Sequence, residues 1–300
     1  MVDLECPRRQ WSERLLLVWV ACVATGLAQP VAVSPRWQVS FPALPGGMPS
    51  ESTAVPVSGD SEMVAIVMAG ADGLSPKLQL GNRTVQARAI GHDPVSRLGF
   101  IQTEGGVAPK AMDWVEDANP SASASLNVMD AGGSAKCRTT GWVKQVGGKI
   151  LPFALLRVSF SQTVPAPGTP LLDDAGRVVA IVFQSTGSGN TGYAIPAEAV
   201  RRVRHDVCNG GRLVRGWLGL AMRAESQIPQ ISRVLANSPA AAVGIRPNDV
   251  LLSIGNRQIA DYADAANAFF YLLPGRPVRV RVVRGAETLE FTLTPTKPAE

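Results

Sequence analysis

Ser238-Pro239-Ala240-Ala241-Ala242-Val243-Gly244-Ile245, followed by Asn248-Asp249-Val250-Leu251 and Ile254-Gly255-Asn256-Arg257-Gln258-Ile259, is the stretch that decides the fold of the C-terminal third. Ser238–Val243 has a helical pattern with proline at its start, where a missing N–H is harmless. The segments after it are short, apolar and separated by turn residues, which is strand spacing. Asn248 stands at a turn, and asparagine tolerates left-handed backbone there. Strand-like runs occur at Trp217–Met222, Gln230–Leu235, Val250–Ile254, Val278–Arg284 and Thr288–Thr294, with a second helical pattern at Asp261–Leu273. That order describes a small antiparallel barrel with two helices over residues 212–296. Asn209-Gly210-Gly211 breaks the chain just before it.

Together with Arg215-Gly216-Trp217-Leu218-Gly219-Leu220 and Pro274-Gly275-Arg276-Pro277-Val278, these segments resemble a PDZ domain of the kind that follows HtrA-type proteases. The resemblance implies a groove beside one open strand, where an extended peptide adds as a further strand. Trp217, Leu218, Gly219 and Leu220 are the expected peptide-binding strand and carboxylate loop. Ala265 and Phe269, four apart on the second helical segment, are the expected lining of the side-chain pocket. Trp217 is bulky for such a loop and is a candidate obstruction of the groove.

Upstream, residues 51–208 consist of short apolar runs punctuated by Gly, Asp, Asn and Pro, closed by a helical pattern from Pro196 to Val207. This is the signature of an all-β sandwich or barrel. Pro165-Ala166-Pro167-Gly168-Thr169-Pro170-Leu171-Leu172 resembles the nucleophile segment of HtrA/Do-like serine proteases, and Gly192-Tyr193-Ala194-Ile195-Pro196 resembles the strand that ends their protease domain. The fold implied is mainly β: a trypsin-like double β-barrel followed by the PDZ domain. On that alignment Pro167 falls on the nucleophilic serine, which removes a hydroxyl and an oxyanion-hole N–H together. Ile90-Gly91-His92-Asp93-Pro94-Val95-Ser96-Arg97 puts Arg97 on the triad carboxylate, and the family histidine falls near Met68. No histidine precedes His92. Met68, Arg97 and Pro167 therefore read as a degenerate triad, with no catalytic residue assigned. The chain is expected not to be an active protease, with a divergent serine endopeptidase using Ser159, Ser161 or Thr169 as the enzymatic alternative.

The rest of the chain bounds the function. Residues 1–28 read as an export signal, with Arg8, Arg9 and Arg14 ahead of an apolar run ending at Ala28, and an uncleaved anchor is the alternative. A proline-rich lead-in is expected over 29–50. The net charge is +5, yet no Lys/Arg block with interleaved aromatics points to nucleic acid. No Cys/His spacing suits a metal, and no cofactor motif is present. Cys137 and Cys208 are the two cysteines beyond the signal, free to pair in an oxidising compartment. The expected role is a periplasmic or otherwise exported pseudoprotease that binds extended peptides or protein C-termini, as scaffold, chaperone-like holder or regulator. Active HtrA-type proteases or an envelope complex are the candidate partners, and a structural subunit with a vestigial groove is the non-binding alternative.

Overall fold

The computed structural model describes residues 36–298 apart from 58, 60, 117–119, 121–122, 131–132, 188 and 224–227. The expected export signal lies outside the described residues. Part of the expected lead-in does not behave as one: it begins with strand β1 (Trp37–Phe41), whose Phe41 is fully buried.

Strands β2 (Ser50–Thr53), β3 (Val55–Pro56), β4 (Glu62–Ile66), β5 (Lys77–Leu80), β6 (Arg83–Val85), β7 (Ala87–Asp93) and β8 (Leu98–Thr103) complete the first half. They form two antiparallel four-stranded sheets, ordered β2-β1-β5-β6 and β3-β4-β8-β7. Successive side chains of a strand point to opposite faces, so β4 can serve two cores at once. Met63 and Ala65 join Val39, Phe41, Leu78 and Ile101 inside this half. Val64 and Ile66 point the other way, with Leu98 and Phe100, into a core shared with the rest of the molecule.

The second half is a closed barrel of β9 (Ser125–Asp130), β10 (Gly133–Val146), β11 (Lys149–Phe160), β12 (Pro170–Leu172), β13 (Val178–Ser185) and β14 (Thr191–Pro196), ordered β10-β11-β14-β13-β12-β9. Leu126, Val128, Leu156, Val158, Leu171 and Val182 fill it. Helix α1 (Ala197–Gly210) follows and stops at Gly211, whose φ of 73° and amide bond to the Val207 carbonyl form a left-handed cap. The β10–β11 hairpin is irregular. Val143 pairs with Leu155 and Gln145 with Ile150, so Lys144 stands opposite four residues, Leu151 to Ala154. Pro152 lies in that gap, where its missing N–H breaks no ladder bond.

The last part contains β15 (Leu220–Met222), β16 (Ile231–Val234), α2 (Pro239–Ala242), β17 (Val250–Ile254), β18 (Arg257–Gln258), α3 (Tyr262–Phe270), β19 (Val278–Arg284) and β20 (Glu287–Leu293). The pair β15-β16 and the sheet β18-β17-β19-β20 are joined by a bridge between Gln230 and Val250. Ser238 caps α2 by accepting from the Ala241 amide. Asp261 caps α3 by accepting from the Asp264 amide, and Asp264 returns the bond to the Ala260 amide, a reciprocal capping arrangement. Asn248 adopts φ 72°, as its position in the turn requires. Beside it the buried Asp249 carboxylate receives both Nε and Nη2 of Arg284 at 2.8 Å, tying the turn to β19.

The two barrels and this third part fall within one unit, Ser34–Glu300. Phe270, at the end of α3, is buried in the core shared by β4, β8, β11 and α1. Its ring centroid lies 4.8 Å from that of Phe153.

Candidate functional site

The first candidate is the region between the barrels. The Ser50 hydroxyl accepts from the Met68 amide at 3.1 Å, and the Val67 amide donates to the Arg97 carbonyl at 2.8 Å. The Pro167 carbonyl accepts from the Thr53 amide at 2.8 Å and from the Ser52 hydroxyl at 3.2 Å. Strand β2 thus binds the segments carrying Met68 and Pro167, and the Met68 segment in turn binds the one carrying Arg97.

Pro167 and Gly168 are the two central residues of a tight turn closed by the Thr169 amide on the Ala166 carbonyl. Proline followed by a glycine at φ 82° is the composition a type II turn demands. Gly168 is also pressed against β2, since a Cβ there would stand 2.0 Å from the Thr53 carbonyl oxygen. Its amide donates to the Val182 carbonyl at 2.7 Å. Across three successive residues, then, one N–H is missing and the other two are engaged internally. An oxyanion hole needs N–H groups aimed into an open cleft, and this turn aims none there.

His92 lies within β7, its ring packed so closely under Gly73 that a Cβ there would meet it at 2.6 Å. Burial lowers the His92 pKa first of all; Asp93 and Asp72 oppose this and Arg97 adds to it. His205 is exposed on α1 and shares its Nδ1 with Asp206 Oδ1 at 3.0 Å. Thr169 is fully buried and its hydroxyl donates to the Ala166 carbonyl, so it is no nucleophile. Cys137 and Cys208 are free thiols, pushed up to about 12 and about 11 by burial.

The second candidate is the groove beside β15. Among the described residues β15 pairs only with β16, which leaves its other edge open toward α3. Between them lies a cleft of about 240 Å³. Met222 lines it from the strand, Tyr262, Ala266 and Phe269 from the helix, Arg215 and Gly216 from the loop, and Pro152 from the barrel. Residues 262, 266 and 269 recur at helical spacing, so they share a face. Ala265, expected in this pocket, is instead fully buried in the core with Leu251 and Val280. One residue turns a helix by about 100°, and the pocket belongs to Ala266. Phe269 lines the cleft.

The loop residues divide. Leu218 is buried in the core and its carbonyl accepts from the Ala240 amide. Gly219 has φ 78° and passes so close to Ser238 that a Cβ would meet that side chain at 2.1 Å. Trp217 exchanges both backbone bonds with Thr296 and is not among the residues lining the cleft. Leu220 pairs with Val234 and packs on the core. Apart from Phe269, the residues lining the cleft are not among those the sequence singled out; Met222 was within reach, since it follows from Leu220 by the period of two.

Residues 216–294 match the PDZ domain family. The chain is 28% identical over 236 residues to a probable periplasmic serine endoprotease, DegP-like, of Chlamydia muridarum, covering 71% of this chain and 47% of that protein. It is 28% identical over 280 residues to a similarly named protein of Ectopseudomonas mendocina, covering 85% and 59%. The chain therefore spans about half the length of the curated relatives it matches. Among solved structures, the HtrA-type protease AlgW with tripeptide superposes at a TM-score of 0.63 and 21% identity, over 90% of this chain and 95% of that one. The same protease with decapeptide gives 0.60 at 20% identity. The fold is that of an HtrA-like double barrel with a PDZ domain.

Proposed function

We propose that this HtrA-like chain with its PDZ domain is an exported peptide-binding protein in which proteolysis has been lost. The observation that carries the reading is the Ala166–Thr169 turn, which offers neither a hydroxyl nucleophile nor a free backbone donor where acyl transfer needs both. Met68 and Arg97 stand at the other two triad positions, and an arginine there would repel the imidazolium that a triad must stabilise. The groove by contrast is formed: an open strand edge, an apolar cleft and a capped helix stand ready for an added strand. Relatives named as periplasmic endoproteases support export, and similar structures described with a tripeptide and a decapeptide support a peptide ligand. The ligand is an extended peptide or a protein C-terminus.

Two assays on the purified chain test this together: a fluorophosphonate probe with unfolded casein, and fluorescence anisotropy with labelled C-terminal peptides. The expected result is no covalent labelling, intact casein and saturable peptide binding. Labelling at a serine, with casein cleaved, overturns the reading.

A further inference from the structure

We propose that the chain carries a separate binding site, for a neutral saccharide, on the side of α3 turned away from the peptide cleft. The proposal goes beyond the peptide-binding reading and does not depend on it. Residues 262, 266 and 269 face the peptide cleft. Residues 264, 267 and 271 are turned about 180° from them at about 100° per residue. They line another cleft, of about 340 Å³. Its remaining walls include Trp142 on β10, Glu198 on α1 and the Asn256–Gln258 segment at the β17–β18 turn. Two ion pairs join barrel to PDZ domain at these walls: Lys144 with Asp264 at 2.6 Å, and Glu198 with Arg257. The Arg257 guanidinium also lies 3.7 Å over the Tyr271 ring. The walls are therefore held in place before a ligand arrives, which lowers the ordering cost of binding.

The groups left unpaired in the lining select the ligand. Its two cations and two carboxylates are spent on each other and cancel, so net charge favours no ionic ligand. What remains is amide. Asn256 and Gln258 are exposed, and neither side chain is engaged elsewhere among the described residues. Asn267 is fixed in orientation, because the Ala154 amide donates to its side-chain oxygen at 2.8 Å and leaves its NH2 group to the cleft. A primary amide offers donor and acceptor side by side, which matches adjacent hydroxyl groups on a sugar ring. Trp142, anchored on the core of the second barrel, adds an apolar ring on which sugar C–H groups can pack. A cleft of this size takes a ligand of about one or two sugar rings.

The test is saturation-transfer NMR and titration calorimetry on the full chain, with cellobiose, maltose, N,N′-diacetylchitobiose and digalacturonate as probes. At least one neutral disaccharide is expected to bind with a Kd of about 1 mM or tighter, and digalacturonate at least tenfold more weakly. The double variant Asn256→Ala with Gln258→Ala is expected to weaken the best disaccharide at least fivefold at an unchanged urea midpoint. Asn267→Asp keeps an oxygen for the Ala154 amide but removes both cleft donors, and it too is expected to weaken binding at least fivefold. It carries the test if the double variant does not fold by circular dichroism. A disaccharide whose affinity neither variant moves by twofold lies elsewhere and overturns the site. No saturation transfer to any neutral probe, or digalacturonate binding tighter than all of them, overturns the assignment of a neutral saccharide.

Discussion

Arg202 and Asp206, one turn apart on α1, form a buried ion pair, with Nη1 2.6 Å from Oδ2. The remaining donors of the guanidinium reach the PDZ domain. Nε donates to the Phe270 carbonyl, and Nη2 donates to the carbonyls of Leu272 and Val214 at 3.0 and 2.7 Å. Asp206 Oδ2 in turn accepts from the Val214 amide. One side-chain pair therefore satisfies the end of α3 and the interdomain connection together, which four orphan carbonyls at a helix end require. Removing the cation leaves a buried carboxylate unpaired, and Arg202→Met should cost about 3–5 kcal/mol in urea denaturation. A loss under about 1 kcal/mol would show that the pair is not holding the junction.

The same pair sets an acid limit. Burial alone would raise the Asp206 carboxyl, but bonds from Arg202, His205 and the Val214 amide, with the charge of Arg202, outweigh it and hold the pKa below the ordinary carboxylate value. A carboxylate depressed on folding contributes stability above its unfolded pKa, near ~4, and loses it as pH falls through the folded value. His92 acts at milder pH. Its pKa is lowered on folding, so the unfolded chain takes up the proton first, and stability should begin to fall below about pH 6.5. Urea midpoints between about pH 8 and pH 5 should therefore drop more steeply for wild type than for His92→Gln. Parallel slopes would mean that His92 does not titrate differently on folding.

Pro167→Ser should not restore hydrolysis. The serine would regain a hydroxyl and an N–H, but Gly168 would still donate to Val182 and Thr169 to Ala166. Met68 would supply no base, and Arg97 lies in the left-handed region at φ 64° with its carbonyl held by the Val67 amide. Rates with a single restored triad member are set by the missing base. Fluorophosphonate labelling of this variant is expected to stay at background, and measurable casein cleavage by it would revive the enzymatic reading.

What the sequence discloses follows the reach of its signals. Turn residues and apolar runs mark strands locally, and Ser238, Pro239 and Asn248 act through their own backbone, so the elements of the C-terminal part are legible. Helix phase is less so: Ala265 and Ala266 are chemically identical, and only packing decides that the first enters the core and the second the cleft. Long-range relations leave no local trace. Trp37–Phe41 sits in a proline-rich region, yet pairing with β2 and β5 makes it a barrel strand. Nothing near Arg202 announces that it holds carbonyls 68 and 70 residues away.

Loss of Phe270 should be more costly than loss of the part-exposed Lys144 pair across the junction. The side chain is 2% exposed and lies in a core built by both barrels and α1. Phe270→Ala should cost about 3–5 kcal/mol through the cavity left behind. Lys144→Met, which removes a part-exposed pair with Asp261 and Asp264, should cost about 1 kcal/mol or less and only at low salt. Equal losses for both variants would contradict an apolar junction.

A clean block of the groove requires Ala266, and Gly219 is the wrong place to attempt it. Gly219 has a left-handed φ of 78°, and any side chain there runs into Ser238, the buried cap of α2. Gly219→Asp should therefore cost about 1 kcal/mol for the backbone and about 1 kcal/mol for the displaced cap, before any steric penalty. Its loss of peptide binding would come with a lowered urea midpoint. Ala266 is part-exposed on the groove face of α3, so Ala266→Trp fills the cleft without touching the core. That variant is expected to keep the wild-type urea midpoint while peptide anisotropy falls to background. Undiminished binding by Ala266→Trp would place the ligand somewhere other than between β15 and α3.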